Sequence, residues 1–178
     1  MPNIYPYYTI AEFPELEHIQ SNWQVIKDEA MEYKEDFYIM EDDRNTNGNW
    51  TYMPLKPEPD DMENLGDTLK SKVDKWSSKF SKTRDICESI DNTGYVFSLL
   101  GPKGHILGHD HELDFVSAIL GLECSSNCIF RVGQNYTKIR EGRFTIFDYK
   151  VEHEAWNLSD QERLVLLISL PNRYLNTG

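Results

Sequence analysis

From Thr93 onward the apolar residues either alternate with polar ones or run together in short blocks: TGYVFSLL, GHILGH, DFVSAILGL, CIFRVG, NYTKI, RFTIFDY, HEAWN and RLVLLISL. Turn-forming residues around Pro102-Lys103-Gly104, Gly121, Gly133, Gly142 and Leu158-Ser159-Asp160 separate or border these blocks. Eight short strands at near-regular spacing predict an antiparallel jelly roll, a double-stranded β-helix barrel. A two-sheet sandwich without a central cavity is the alternative. Before Thr93 the period differs. Leu16, Ile19, Trp23, Ile26 and Ala30 recur at three- and four-residue steps, which predicts a helix from Ala11 to about Lys34, with Pro14 in its first turn. Leu65, Leu69, Val73 and Trp76 predict a second helix from Asp61 to Phe80. Between them DDRNTNGNW and Pro54, Pro57 and Pro59 break any period, so residues 35–59 read as a long irregular loop, a cover for a site or plain surface. The fold class expected is mainly β with N-terminal helices. It is read as a single domain over residues 1–178, a helical and loop layer at 1–92 and a jelly-roll core at 93–172.

Composition narrows the function classes. With 178 residues, 39% of them apolar, the chain is long enough to bury a sizeable core. The net charge of −12 argues against nucleic acid and against anionic lipid surfaces as partners. Acidic runs such as EDD at 41–43 and PEPDD at 57–61 read as a solvated surface or as a funnel for a cationic substrate. No apolar stretch of about 18 residues offers a membrane span. The first residues lack the basic start and apolar centre of a signal peptide. Three cysteines, Cys87, Cys124 and Cys128, suit reduced thiols better than a disulfide scaffold. Cys124 and Cys128 read as structural residues or as half of a zinc site whose other half is missing from the sequence. These features together predict a cytoplasmic protein acting on a small molecule or peptide, with the oligomeric state left open.

The chemistry gathers in histidines and one arginine. His109 and His111 are two residues apart in a strand-like segment, so both side chains project to one face. His153 comes from another strand, and neutral imidazoles from two strands suit iron, copper, zinc or nickel. The same histidines also fit as polar strand residues. His105 shares their parity, and one of the three then serves as a hydrogen-bonded core histidine. Arg163 heads the apolar run RLVLLISL. A guanidinium drawn inward there needs an anion. A planar carboxylate matches its fork, and a salt bridge to Asp148, Asp160 or Glu162 is the local alternative. Ser98 reads either as a second donor to the same carboxylate or as a plain strand hydroxyl. Trp156 reads as packing.

These segments resemble the aspartyl/asparaginyl β-hydroxylase family of Fe(II)- and 2-oxoglutarate-dependent oxygenases. EFPELEHIQSNWQVIKDEA, the Gly-Asn-Trp ending at Trp50, YVFSLLGPKGHILGH, AILGL, FRVG, EGRFTIFD and HEAWNLSDQERLVLLISL carry the likeness. The resemblance implies a jelly roll in which His109 and His153 hold Fe(II) while Arg163 and Ser98 bind the distal carboxylate of 2-oxoglutarate. Its implied substrate is an amino-acid-like or peptidyl Asp or Asn side chain, hydroxylated at an aliphatic carbon. Two positions depart from the family pattern. Ser117 and Ile119 stand where relatives commonly carry an arginine and a histidine against the cosubstrate, and Arg131 is expected to compensate from a neighbouring strand. His111 stands where the wider superfamily carries a carboxylate, either a third ligand or a neighbour of a two-histidine site. The rival readings are a cupin-like three-histidine dioxygenase that needs no 2-oxoglutarate, and a jelly-roll binding protein without catalysis.

Overall fold

The structure, a computed structural model, describes residues 5–39, 43–57, 71, 73–75 and 77–173. Two antiparallel sheets face each other. The strands are β1 Tyr7–Tyr8, β2 Tyr38–Ile39, β3 Asn45–Asn47, β4 Trp50–Lys56, β5 Gly94–Leu100, β6 His105–His109, β7 Phe115–Glu123, β8 Cys128–Val132, β9 Asn135–Lys138, β10 Phe144–Asp148, β11 His153–Asn157 and β12 Arg163–Pro171. The larger sheet runs β1-β10-β7-β12-β5-β4-β2 and the smaller β3-β6-β11-β8-β9. This crossing pattern is a double-stranded β-helix, and β5 to β12 fall on the eight blocks read from the sequence.

The burial of β12 explains why those blocks are so apolar. Leu164, Leu166, Ile168 and Leu170 pack outward with Phe13, Leu16, Ile19, Ile26 and Phe97 in the core shared with the helices. Arg163, Val165, Leu167 and Ser169 alternate with them and face the second sheet. Strands covered on both faces lose the polar half of their alternation, and all seven residues of β5 are buried. By contrast β8 and β11 are covered on one face and keep strict alternation.

The expected first helix is broken in two. A 3-10 turn at Ile10–Glu12 leads to α1, Leu16–Ser21, and α2, Trp23–Glu32. The Ser21 hydroxyl donates to the Glu17 carbonyl at 2.8 Å and the Asn22 amide to that of His18 at 2.8 Å. Such side chains compete with the helical ladder and end it there. The predicted apolar face survives the break: Leu16, Ile19, Ile26 and Ala30 are fully buried. Of the expected Asp61–Phe80 helix, residues 71, 73–75 and 77 are helical. Leu65, Leu69 and Trp76 lie outside the described residues. A further helix, α3 at Ser81–Cys87, follows. The buried Glu29 carboxylate of α2 caps it, accepting the Thr83 N–H at 2.8 Å and its hydroxyl at 2.6 Å.

Residues 35–59 are not the irregular loop expected. They supply β2, β3 and β4, so the sheets begin well before Thr93. Pro54 hides β4 in the sequence. It sits at a register shift and beyond the two residues where β2 pairs with β4, which is where a strand tolerates a missing N–H. Residues 41, 42 and 58–61 of the acidic runs lie outside the described residues. Among the described residues no helix is long and apolar enough to cross a membrane.

Candidate metal and anion site

Between the sheets lies a cavity of about 170 Å³. Its walls include His109, His111 and His153 together with the buried Arg163 and Ser98. His153 and His109 are register partners across β11 and β6. The three imidazoles offer ligand nitrogens that all lie within 4.8 Å of one another. The His109 and His153 rings are 4.4 Å apart between centroids. His111 stacks on Tyr149 at 3.9 Å.

Backbone carbonyls fix the tautomers of two of these rings. His109 Nδ1 lies 2.8 Å from the Leu107 carbonyl, and His153 Nδ1 lies 2.8 Å from that of Val151. A carbonyl only accepts, so each Nδ1 carries the proton and each Nε2 presents a lone pair. This is the outer hydrogen bond that orients imidazole ligands. Burial pulls His153 down to about 3 and His111 down to about 4, and the nearness of His109 and Arg44, which disfavours a further positive charge, pushes the same way. Both rings are therefore neutral at pH 7. In the unfolded chain they titrate near their ordinary value of 6.5. Below that pH the unfolded chain binds more protons, so stability is full above about 6.5 and falls as pH drops toward the folded values. Chelator-treated protein is expected to lose at most about 1.4 kcal/mol per pH unit from His153, and less from the more exposed His111. Urea melts between pH 7 and 5 measure this, and equal stability across that range contradicts it.

His105 does not join the cluster, although its parity matches. Across from β11 the register shifts between Ile106 and His109, and this irregularity turns His109 inward while His105 faces out. His105 Nε2 donates to Glu154 at 2.7 Å, and the ring stacks on Trp156 at 5.2 Å. Gly108 sits in the shifted segment, where a Cβ would come 3.0 Å from the Arg131 guanidinium.

Arg131 likewise faces away from the cavity. It binds Glu154 at 2.6 Å, Glu152 at 2.8 Å and the Gly133 carbonyl at 2.7 Å. The expected compensation for Ser117 and Ile119 does not come from this residue, because alternation along β8 puts Phe130 inside and Arg131 outside. Ser117 and Ile119 do line the cavity.

Arg163 is 3% exposed, and its Nε has no partner. The acids expected as alternatives are engaged elsewhere: Asp160 with Lys103, Glu162 with Lys34, Asp148 with Tyr5 and the Lys150 N–H. Burial lowers its proton affinity, and the neighbouring sulfurs of Cys124 and Cys128 push the other way. Ser98, 1% exposed, accepts the Trp50 indole N–H at 2.9 Å, which leaves its own hydroxyl proton to donate into the cavity. Asn157, fully buried, holds the turn before Arg163. Its amide donates to the carbonyls of Gln161, Gly101 and Leu100 at 2.7 to 3.1 Å. Sequence reading assigned no site role to Arg44, Trp50, Tyr52 or Tyr149, all of which line the cavity. Nothing in their spacing marks them.

Two similar proteins set this geometry in context. An ornithine lipid ester-linked acyl 2-hydroxylase of Rhizobium tropici is 33% identical over 94 residues, 47% of this chain and 34% of that protein. The match thus spans about a third of that relative's length. The solved structure of a Pseudomonas putida prolyl-4-hydroxylase superposes with a TM-score of 0.53 at 17% identity, covering 86% of this chain and 87% of that one. It shares the fold. A model of the aspartyl/asparaginyl beta-hydroxylase family matches residues 20–172, a span holding Ser98, all three clustered histidines and Arg163, and the chain belongs to that family of oxygenase enzymes.

Proposed function

We propose that this chain is an Fe(II)- and 2-oxoglutarate-dependent hydroxylase. One observation supports the reading: Arg163, buried and with no partner for its Nε among the described residues, lines one cavity with three imidazoles whose ligand nitrogens all lie within 4.8 Å of one another. Neutral nitrogen donors suit iron. The ion would be held by His109 and His153, with His111 as the third nitrogen. Arg163 and the Ser98 hydroxyl would take the distal carboxylate of 2-oxoglutarate, its fork matching the planar anion. The bound iron and cosubstrate together supply O2 activation, with succinate and CO2 released as a substrate C–H becomes C–OH. The protein orients both ends of the cosubstrate, and Phe130, Phe147 and Trp50 keep the cavity dry.

For the substrate, we propose an aliphatic carbon next to a carbonyl group. The amino-acid-like or peptidyl Asp or Asn side chain that the family suggests has such a β-carbon. The acyl 2-position in the name of the Rhizobium tropici relative is also next to a carbonyl. Assays with a peptidyl aspartate or asparagine and with an ester-linked acyl lipid separate the two.

The expected result is succinate release that requires both Fe(II) and 2-oxoglutarate and rises with a true substrate. The clustering of three histidines favours one second reading, a cupin-like dioxygenase that consumes O2 without 2-oxoglutarate. Oxygen uptake unaffected by omitting 2-oxoglutarate selects it. Purified protein that takes up no iron selects a binding protein instead.

A further inference from the structure

Two of the three cysteines stand together beside Arg163, and the function proposed above uses neither. Cys124 and Cys128 flank the turn that joins β7 to β8. The turn is tight: the Cys128 N–H donates to the Ser125 carbonyl at 3.4 Å and the Asn127 N–H to the Ser125 hydroxyl at 3.2 Å. It brings the two sulfurs into hydrogen-bond contact, yet both are free thiols. The same turn is tied to the segment that carries Arg163. Cys124 Sγ donates to the Leu164 carbonyl at 3.8 Å, the Asn127 carbonyl accepts the Leu158 N–H at 3.0 Å, and Cys128 is the register partner of Asn157.

This setting favours one negative charge on the pair. The hydrogen bond from Cys124 holds the Cys128 thiol below its ordinary range, burial opposes the fall, and the Arg163 guanidinium adds to it. The two sulfurs therefore share one proton, and the thiolate is the form that reacts. Cys124 is the partly exposed member and Cys128 is buried, so passage of the shared proton to Cys128 leaves the thiolate where an oxidant reaches it. Cys87 is the contrast, buried and pushed up to about 12 by burial.

We propose that Cys124 and Cys128 form a modification site, a dithiol that hydrogen peroxide closes to a disulfide beside Arg163. The Cys124 thiolate attacks one peroxide oxygen. The O–O bond breaks, a sulfenic acid forms, and the hydroxide released takes a proton from solvent to become water. The Cys128 thiol then attacks that sulfur. The S–S bond forms, the S–O bond breaks, and hydroxide leaves with the thiol proton as a second water. Two electrons pass from the sulfurs to the peroxide. Arg163 acts here as a positioning residue that stabilises the thiolate. The site stands apart from the proposed turnover and does not depend on it.

The test treats the whole ligand-free chain with hydrogen peroxide, quenches it, and counts thiols in denaturant while mass spectrometry locates the bond. Wild-type protein is expected to fall from three free thiols to a single one, with the link between Cys124 and Cys128 and full reversal by dithiothreitol. Cys87→Ser closes the same bond at the wild-type rate, and Cys128→Ala closes none. Arg163→Met, checked as folded by its melting temperature, slows closure about tenfold or more, and Arg163→Lys recovers most of the rate. Three surviving thiols in the wild-type protein, or Cys124 carried on to sulfinic acid without a link to Cys128, overturn the site. Closure at the wild-type rate in Arg163→Met overturns the part given to Arg163.

Discussion

Replacing His153 with alanine is expected to abolish turnover and to weaken Fe(II) binding by more than about a hundredfold, beyond what loss of an outer-shell partner costs. His153 is 5% exposed and sits among Phe147 at 4.9 Å, Tyr149 at 5.6 Å and Phe130 at 6.1 Å between ring centroids. An imidazole in such surroundings is neutral, and its Nδ1–H is already committed to Val151. Its other ring nitrogen lies within 4.8 Å of those offered by His109 and His111, where the proposed ion would be held. Truncation removes one of the clustered nitrogens, and among the described residues no carboxylate belongs to that cluster to replace it. Isothermal titration with Fe(II) under anaerobic conditions measures the loss, and succinate release measures its consequence. His109→Ala, which removes the register partner, is expected to match it. Unchanged iron affinity in either variant contradicts the ligand assignment.

Arg163→Met is expected to move binding and stability in opposite directions. A buried guanidinium whose Nε has no partner among the described residues costs several kcal/mol of desolvation, and an apolar residue of similar length relieves that cost. The melting temperature of the ligand-free protein is therefore expected to hold or rise. Affinity for 2-oxoglutarate is expected to fall by about 2–5 kcal/mol, the scale for losing one partner of a buried charged hydrogen-bonded pair. That is roughly a thirtyfold to several-thousandfold increase in Kd. Fe(II) affinity alone stays constant, because Arg163 does not belong to the histidine cluster. A variant that melts lower and binds 2-oxoglutarate normally makes Arg163 a structural residue.

Much of this was legible before any coordinates. β5 to β12 were readable because central strands buried on both faces appear as apolar blocks, and strands buried on one face alternate. His109, His153, Ser98 and Arg163 were brought together as a set by the family resemblance, and all four line one cavity. Errors came where one local irregularity changes a face. Parity carried His105 inward with His109, and the register shift after Ile106 undoes it. Parity was not applied to Arg131, which alternation along CIFRV already places outside. Pro54 concealed β4, and with it Trp50 and Tyr52, because a proline reads as a break unless the edge pairing is known. Arg44 was invisible for another reason. It belongs to no periodic element, and only the pairing of β3 with β6 carries it beside the histidines. The helix break at Asn22 turned on two side chains reaching back to carbonyls, a choice that apolar spacing does not encode.

The central claim is that the converging imidazoles and the sunken guanidinium hold one metal and one dicarboxylate together. The most direct measurement is the visible spectrum of the purified protein under anaerobic conditions as Fe(II) and then 2-oxoglutarate are added. A weak charge-transfer band that needs both additions and saturates at one equivalent of each is the predicted result. Saturating amounts of both with no band, or a band that survives in His109→Ala, would contradict it.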